Sequence, residues 1–350
     1  MSTDSLRIGF IGAGGICRSR HLPGLAALDG AEVVVVCNRS TESSERVAAD
    51  FGIPDVDTDW QRVIARDDLD IIFIGTWPYM HRELSIATLE AGKHCFCQAR
   101  MCMNVAEARE MLAVARAHPD LVNMICPVPF QLEQYIRDLV RSDLGQITSV
   151  ELSVVSGANL DRSSVHWRER TDYSGCQIMS MGIYAEMLNG LVGPYESLTA
   201  HLSTPIAEKT GESGQSVTID VPQVVAISGT LASGALIVEH HSGVSVDTSG
   251  RSSSITVRGT EGTFRYDFQT TLELARPNES LRTVDVPENK RTVWSVESDF
   301  IAAVRSAREG APPEARPVRP DFEEGLLYMR KVEAVHRSAT TGQAVAPRTL

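Results

Sequence analysis

The sequence has no long apolar run, no surplus of positive charge and no block of biased composition. No stretch approaches the roughly 20 apolar residues of a membrane-spanning helix, and residues 1–5 lack the basic and apolar parts of a signal peptide. The formal net charge is −12 and Lys and Arg form no cluster, which argues against nucleic-acid binding. We therefore expect a cytoplasmic protein whose partner is a small molecule, not a membrane or a nucleic acid.

The cysteines fit no metal or disulfide framework. The sequence holds 7 of them, several inside apolar, strand-like runs. Cys95, Cys97 and Cys102 lie close enough for a metal or redox site to be the alternative, but Cys95 and Cys97 lack the two-residue separation of metal-ribbon and thioredoxin motifs. The pattern predicts reduced, packed thiols in a reducing compartment and no metal site.

The length of 350 residues favours two domains, and the first third has the pattern of a parallel sheet. Short β-branched runs alternate there with helical patterns, as in a doubly wound α/β domain with helices on both faces. The predicted strands are 6–11, 33–37, 70–75, 94–97 and 122–126, and the predicted helices are 16–28, 43–51, 81–91 and 105–118. We place this domain over residues 1–127.

The pattern changes after Pro127. A predicted helix at 132–141 is followed by longer strands with alternating or continuous apolar residues. These strands are 147–155, 224–231, 234–240 and 254–259, with helices predicted at 177–191, 298–308 and 321–338. Residues 128–350 are therefore predicted to form a substrate-binding and oligomerisation domain of the α+β class, with an open, mainly antiparallel sheet.

A glycine-rich turn follows the first predicted strand and opens a helix. Gly12 would allow the tight turn, and Gly14, followed by Gly15 and Ile16, would let backbone N–H groups approach a pyrophosphate. Cys17 stands where a third small residue is usual. This context predicts a Rossmann dinucleotide site, the alternative being a glycine turn without a ligand.

The second predicted strand ends in Asn38, Arg39 and Ser40, with no carboxylate for the ribose hydroxyls of NAD. Arg39 could pair with a 2′-phosphate or stack on adenine, with Asn38 and Ser40 as hydrogen-bond donors. The alternative is an Arg39 that projects into solvent. The pattern favours NADP(H) over NAD(H).

Several segments, in order along the chain, resemble the motifs of one family. Residues 92–101 resemble its Gly-Lys-His-Val-x-x-Glu-Lys-Pro signature, and residues 76–81 resemble its Thr-Pro-Asn-x-x-His turn. Residues 167–168 and 174–184 resemble its Trp-Arg … Gly-Gly-Gly-x-x-x-Asp-x-Gly-x-His, in the branch that ends in Gly-Ile-Tyr. The chain thus resembles the glucose-fructose oxidoreductase, inositol dehydrogenase and MocA (Gfo/Idh/MocA) family over nearly its whole length.

The resemblance implies both cofactor contacts and an unusual catalytic segment. The cofactor contacts by position are Thr76, Trp77, His81, Gln98, Trp167 and Arg168. The family's catalytic lysine is Ala99 in this chain, followed by Arg100 in place of proline. A guanidinium supplies fixed positive charge but cannot give up a proton as an ammonium can. Without the proline, we expect a trans Ala99–Arg100 peptide bond and a rerouted turn.

The resemblance makes Tyr184 the candidate for proton transfer. Ser180 occupies the position of the family's Asp, one helical turn earlier on the same face. Arg100 completes the predicted catalytic set. Other ionisable candidates are His166, Glu169, His240 and His241; adjacent residues of a strand point to opposite faces, so the last two differ in environment.

Three functions fit this pattern. The first is an NADP(H)-dependent oxidoreductase that acts on a carbonyl or secondary alcohol of a sugar, cyclitol or related cyclic metabolite. The second is a redox-neutral lyase, epimerase or hydrolase that keeps a bound nicotinamide cofactor, and the third is a non-catalytic binding protein on the same fold. The family also implies a homo-oligomer, a dimer or tetramer formed through the second-domain sheet.

Overall fold

A computed structural model describes residues 5–128, 130–211, 213–247 and 253–350. The chain divides into two compact units. The first unit contains Met1–Pro127 and Ser295–Leu326, and the second contains Val128–Trp294 and Leu327–Leu350. The division after Pro127 coincides with the change of sequence pattern. The predicted second domain differs from the second unit in one respect, because Ser295–Leu326 groups with the first unit.

The first unit is built on a parallel sheet of six strands in the order β3-β2-β1-β4-β5-β6. The strands are β1 Leu6–Ile11, β2 Ala31–Cys37, β3 Asp55–Asp57, β4 Ile71–Ile74, β5 His94–Cys97 and β6 Asn123–Ile125. Every residue of β4 and β5 is buried, and apart from His94 both strands consist of apolar residues without polar alternation. The predicted doubly wound parallel sheet is confirmed.

Ten α-helices are described in the whole chain. They are α1 Leu22–Ala26, α2 Thr41–Phe51, α3 Trp60–Ile64, α4 Pro78–Glu90, α5 Val105–Ala117, α6 Glu133–Ser142, α7 Thr171–Ser174, α8 Met181–Val192, α9 Val296–Arg308 and α10 Phe322–Thr341. The start of α5 follows from its sequence, because the Asn104 side chain accepts from the Glu107 N–H and the Glu107 side chain accepts from the Met103 N–H.

Two local differences from the sequence prediction lie near the edge of the first sheet. The predicted helix at 16–28 begins as a π-helical turn, Cys17–His21, and only then continues as α1. The strand β3 and the helix α3 were not predicted. Since β3 has three residues and none of them is buried, it has no apolar pattern that a sequence analysis could detect.

Helix α9 is part of the first unit because its apolar face packs on that unit's aromatic core. The Phe300 ring lies edge-on to Phe73 and to Phe96, with ring centroids 5.5 Å apart in both pairs. Glu297 of the same helix pairs with the buried His21. Helical periodicity predicts that α9 has an apolar face, but it does not specify which unit that face covers.

The second unit contains a mixed sheet of eight strands in the order β16-β15-β14-β13-β7-β12-β11-β8. The strands are β7 Ile147–Val155, β8 Tyr195–Ser203, β11 Val224–Leu231, β12 Leu236–Ser242, β13 Ser254–Gly259, β14 Thr263–Tyr266, β15 Leu272–Ala275 and β16 Arg282–Thr283, and a separate hairpin joins β9 Glu208–Thr210 to β10 Ser216–Thr218. Among the described pairs of this sheet, β7–β12 is parallel and the others are antiparallel. The predicted, mainly antiparallel sheet is confirmed.

Alternation along β12 divides its residues between two environments. Ile237, Glu239 and His241 are buried, whereas Leu236 and Val238 are 60% and 55% exposed. One face of the strand therefore contributes to the core of the second unit, and two charged or polar side chains are buried in that core.

Among the described helices, none is both long and apolar enough to cross a membrane.

The burial of His94 in the first unit predicts how the stability of the protein depends on pH. Its Nδ1 accepts from the Val122 N–H at 2.9 Å, and burial, assisted by Arg308 and Arg316, lowers its pKa to about 4. The unfolded chain takes up this proton near pH ~6.5 and the folded chain only near its lower pKa, so stability is lost as the pH falls through that window. In His94→Asn, whose amide oxygen can replace Nδ1, the loss of unfolding free energy between about pH 7.5 and about pH 5 should shrink by ~1–2 kcal/mol.

Urea unfolding at the two pH values measures this difference. The matched control is His201→Asn, at an exposed position of β8. An unchanged pH dependence in His94→Asn would contradict the prediction.

Candidate functional site

A cavity of about 520 Å³ lies in the first unit beyond the carboxyl ends of β1, β2 and β4. Cavities of roughly 300–1,000 Å³ are typical of small-molecule sites. Ligands of open α/β sheets bind outside the carboxyl ends of the strands. The lining residues include Gly12, Gly14, Asn38, Arg39, Ser40, Thr76 and Trp77 from the predicted cofactor set. The sequence analysis did not identify Ser43, Thr58, Trp60, Tyr79 and Met80, which also line it.

The glycine turn, residues 12–15, has a tight base and an open rim. Gly12 has φ +86°, and a Cβ there would lie 2.6 Å from the Thr76 backbone nitrogen. At Gly14 and Gly15, by contrast, a Cβ would meet no atom within 4 Å. The rim therefore leaves space in which a pyrophosphate can approach the backbone, as the predicted dinucleotide site requires. Ile16, 45% exposed, does not line the cavity.

The side chains of Asn38 and Ser40 form hydrogen bonds with backbone groups of the protein. The Asn38 Oδ1 accepts from the Ala13 N–H at 2.8 Å, and its Nδ2 donates to the Ser43 carbonyl and hydroxyl. Ser40 caps α2 by accepting from the Ser43 N–H. These contacts position the glycine turn against the end of β2, so both residues shape the cavity through the backbone.

Arg39 is the cationic side chain that lines the cavity. Its guanidinium carbon lies 5.2 Å from the centroid of the Trp77 ring, and the residue is exposed. No ion pair joins Arg39 to an acidic side chain within the described part of the chain. A cation stacked on an aromatic ring at this position can hold a phosphate, an adenine or both.

His81 is a structural residue of the first unit. It is fully buried, and its Nδ1 lies 2.8 Å from the Arg100 carbonyl while its Nε2 lies 2.9 Å from the Thr76 carbonyl. Burial lowers its pKa. His81 thus joins the turn after β4 to the turn after β5, and it does not line the cavity.

Gln98 belongs to a buried network with His21 and Glu297. The Gln98 Nε2 contacts the His21 Nε2, the His21 Nδ1 contacts a Glu297 carboxylate oxygen, and the Gln98 Oε1 accepts from the Ala99 N–H at 2.9 Å. The three side chains are satisfied when His21 donates from Nδ1 to Glu297 and accepts at Nε2 from the Gln98 amide. The network connects the helix after the glycine turn to the segment that carries Ala99.

The expectation of a trans Ala99–Arg100 bond is wrong, because the structure has this bond in the cis form. The turn is held on both sides of the bond, by Gln98 through the Ala99 N–H and by His81 through the Arg100 carbonyl. Arg100 is 2% exposed, so its side chain is buried and does not extend into solvent.

In the second unit, Ser180 and Tyr184 occupy the first turn of α8. Ser180 is the N-cap residue, and its carbonyl accepts from the Tyr184 N–H at 3.3 Å. Tyr184 is partly buried, with its ring 5.3 Å from that of Phe268, and burial raises the pKa of its hydroxyl. The hydroxyl is therefore protonated at neutral pH, as a proton donor must be.

Trp167 and Arg168 lie in a short 3₁₀ turn of the second unit, Trp167–Glu169. The Arg168 guanidinium stacks on the Trp167 ring at 4.1 Å. The turn is anchored by Glu169, which is buried and pairs with Lys209 at 2.7 Å. This anchoring fixes the Trp-Arg pair at the surface of the unit.

The comparisons with known proteins agree with this architecture. Residues 6–125 match the family described as "Oxidoreductase family, NAD-binding Rossmann fold", and residues 134–265 match "GFO/IDH/MocA C-terminal domain". The chain belongs to the Gfo/Idh/MocA family of oxidoreductases. The resemblance found in the sequence motifs is thereby confirmed.

Individual relatives include enzymes that act on sugars. The dTDP-3,4-didehydro-2,6-dideoxy-alpha-D-glucose 3-reductase of Streptomyces violaceoruber is 25% identical over 96% of both chains. The levoglucosan dehydrogenase of Pseudarthrobacter phenanthrenivorans is 26% identical over 77% of this chain and 76% of its own. A solved levoglucosan dehydrogenase in its apo form superposes with a TM-score of 0.84 at 22% identity, covering 98% of this chain and 99% of its own, which shows the shared fold.

The glycine turn gives a matched pair of substitutions. Gly12→Ala places a methyl against the Thr76 backbone in a positive-φ conformation, so we expect a loss of roughly 1–3 kcal/mol in unfolding free energy. Gly14→Ala meets no protein atom, so its stability should stay within about 0.5 kcal/mol of the parent. Its affinity for a nicotinamide dinucleotide should fall at least about tenfold, equivalent to ~1.4 kcal/mol.

Urea unfolding and calorimetric titration together separate the two effects. A Gly14→Ala variant that binds the dinucleotide as tightly as the parent would contradict the assignment of the open rim.

The buried network of Gln98, His21 and Glu297 predicts a coupling between two substitutions. Gln98→Glu places a second carboxylate on His21, and Glu297→Gln removes the first, so each single change should cost about 1–3 kcal/mol. The double variant restores one carboxylate and one amide, so its loss should be smaller than the sum of the two. Unfolding free energies of the four proteins measure this coupling.

The control is Glu42→Gln, at a side chain that is 83% exposed in its ion pair with Arg46 and should change stability little. Strictly additive losses at Gln98 and Glu297 would show that the two residues do not share His21.

Proposed function

We propose that this protein is an NADP(H)-dependent oxidoreductase that acts on a carbonyl or secondary alcohol of a sugar, cyclitol or related cyclic metabolite. The observation that carries the proposal is the cavity at the glycine turn, in which Arg39 stands at the end of β2 where an NAD site has a carboxylate. The names of relatives that act on levoglucosan and on a dTDP-sugar support the substrate class.

The residues of the first unit fit a nicotinamide dinucleotide. The open rim at Gly14 and Gly15 would receive the pyrophosphate, and Arg39 would pair with the 2′-phosphate while Trp77 supports its guanidinium. When bound, the nicotinamide ring supplies or accepts a hydride. Thr76 lines the same cavity and is the candidate contact for the nicotinamide ribose.

The second unit supplies the candidate proton donor. Because burial raises the pKa of Tyr184, its hydroxyl carries a proton at neutral pH and can give it to a carbonyl oxygen during reduction. Ser180, one helical turn earlier, offers a hydroxyl to a neighbouring substrate hydroxyl. Arg100 contributes fixed positive charge, since Ala99 has no group that can transfer a proton. Trp167 and Arg168 remain proposed cofactor contacts.

A redox-neutral enzyme is the second candidate, and Ala99 is the observation that favours it, because the family's lysine is absent. The two functions differ in cofactor consumption. Stoichiometric loss of NADPH absorbance on addition of a carbonyl substrate would exclude the redox-neutral function, whereas product formation at constant absorbance would exclude the proposed one.

We also propose that the protein is cytoplasmic and assembles as a homodimer or tetramer. All seven cysteines are free thiols, as a reducing compartment maintains them. On the sheet of the second unit, Leu236 and Val238 expose apolar side chains on one face of β12, as a self-complementary interface would require. Sedimentation velocity would detect a monomer, which would contradict this assembly.

The decisive experiment is calorimetric titration with NADP⁺ and NAD⁺. We expect the parent to prefer NADP⁺, and Arg39→Ala to weaken NADP⁺ by about 10–100-fold while NAD⁺ changes little, because a charged hydrogen bond contributes ~1.5–3 kcal/mol. The matched control is Arg46→Ala, an exposed Arg on α2 that pairs with Glu42. Equal losses for both dinucleotides in Arg39→Ala would overturn the assignment of NADP.

A further inference from the structure

The core of the second unit contains a charged cluster on the buried face of β12, formed by Glu239, His241, Lys331 and Tyr195. Glu239 is fully buried, and the Lys331 Nζ lies 2.6 Å from its Oε1 and 2.7 Å from its Oε2. The Tyr195 hydroxyl donates to Oε1, and the His241 Nε2 lies 2.9 Å from Oε2. None of these residues belongs to the predicted catalytic set.

The charges of the cluster balance without His241. Burial alone would raise the pKa of Glu239, but Lys331 and His241 lower it to about 2, so the carboxylate is ionised beside one ammonium. Burial lowers the pKa of His241, against the opposing influence of Glu239. At neutral pH the imidazole is therefore neutral.

The neutral imidazole has only one possible tautomer in this arrangement. An ionised carboxylate can only accept, so His241 donates to Glu239 from Nε2 and its Nδ1 carries a lone pair. The Nδ1 atom is buried and has no hydrogen-bond partner within the described residues. A buried acceptor that stays unsatisfied lowers the stability of the folded protein. A role of the His241 Nδ1 atom in function would explain why the structure contains this unpartnered acceptor.

The neighbour of His241 across the core is Tyr184. Their ring centroids are 6.2 Å apart at an interplanar angle of 61°. The Tyr184 hydroxyl has no hydrogen bond to another described residue, and burial is the sole cause that shifts its pKa. The Tyr184 ring thus lies beside an imidazole that a carboxylate holds, so the residue types of a carboxylate–histidine–hydroxyl triad are neighbours here. Hydrogen bonds of such sites often form only when substrate is bound.

We propose that His241 is the positioning residue that supports Tyr184 in proton transfer, and that Glu239 and Lys331 hold it in the required tautomer. The proposal rests on the proposed role of Tyr184. It replaces the missing family lysine at Ala99 with a base from the same unit as the tyrosine.

The proton balance is simple in the direction of alcohol oxidation. The proton of the Tyr184 hydroxyl passes to the His241 Nδ1, and the Tyr184 oxygen then takes the proton of the substrate hydroxyl. A bound nicotinamide dinucleotide would accept the hydride from the substrate carbon, which would then become the carbonyl carbon. The imidazolium, stabilised by Glu239, finally releases its proton to solvent. In reduction every step is reversed.

Several titratable groups surround His241 and bear on how the reaction rate depends on pH. They are Glu239 and His240 on the same strand, Tyr184 on α8, Lys331 on α10 and, through Glu239, Tyr195 on β8. The paired positions on the flanking strands are Val154 and Val225, which do not titrate. Because burial lowers the pKa of His241, its imidazole changes charge at a lower pH than an ordinary histidine does.

The kinetic test uses His241→Gln, whose amide N–H can still reach Glu239 while the base at Nδ1 is lost. We expect kcat to fall about 10²-fold or more with KM changed little, and the acidic limb of the pH profile to disappear. Tyr184→Phe combined with His241→Gln should lose no more activity than Tyr184→Phe alone, because one residue acts through the other. The matched control is His240→Gln, at the adjacent exposed position.

A second test needs no turnover, so it stands even if no sugar substrate is found. Side-chain ¹⁵N NMR of histidine-labelled protein, assigned by the signal lost in His241→Gln, should show Nε2 protonated and Nδ1 unprotonated at neutral pH. The Nδ1 resonance should shift in Tyr184→Phe. A protonated Nδ1, an Nδ1 that does not respond to Tyr184→Phe, or multiplicative losses in the double variant would each overturn the proposal.

Discussion

The close approach of two parallel strands at Gly12 and Gly75 is the constraint on which the proposed cofactor site depends. A Cβ at Gly75 would lie 2.4 Å from the Gly12 carbonyl oxygen, and one at Gly12 would lie 2.6 Å from the Thr76 nitrogen. Because neither position tolerates a side chain, the turns after β1 and β4 meet backbone to backbone. The cavity opens directly above this contact, and its two walls carry Arg39 and Trp77. Its shape is thus fixed by the absence of two side chains.

Two charged residues of the family signature are replaced by uncharged residues in this chain, and buried charged residues lie at other positions. The signature's glutamate is Gln98 in this chain, and the carboxylate that His21 contacts comes from Glu297. The signature's lysine is Ala99, and the second unit contains a buried Lys331 beside Glu239. Both units thus pair buried ionisable groups within themselves. The signature alone would describe a damaged site, whereas the structure shows that the buried carboxylates Glu297 and Glu239 both have partners.

Much of the fold was predictable because its signals are local. The strands Leu6–Ile11, His94–Cys97 and Ile147–Val155 have the predicted bounds, since burial on one or both faces imposes a pattern on consecutive residues. The exposed three-residue strand Asp55–Asp57 imposes none. A cavity at the glycine turn was also predictable, because a glycine turn between a strand and a helix has a known geometry.

The roles of polar side chains were less predictable, because they depend on partners distant in sequence. Asn38 has the residue type of a ribose ligand but bonds to the glycine turn, and the ring of His81 lies within hydrogen-bond distance of carbonyls in two backbone turns. The contact of His21 with Glu297 spans 276 positions. The cis bond at Ala99–Arg100 follows from no residue type in the segment. A single sequence identifies the residues whose side chains could take part in binding or catalysis. Only the fold shows which of those side chains are instead bonded to the protein's own backbone.

Because Ser295–Leu326 belongs to the first unit, that unit cannot complete its folding until this segment has been synthesised. Synthesis proceeds from the N-terminus, and domains commonly fold as they emerge. Here the residues up to Pro127 emerge without Phe300, which covers Phe73 and Phe96, and without the carboxylate of Glu297. The nucleotide-binding unit therefore reaches its final packing only after the whole sheet of the second unit has been made. The packing of the first unit thus depends on residues that are synthesised after most of the second unit.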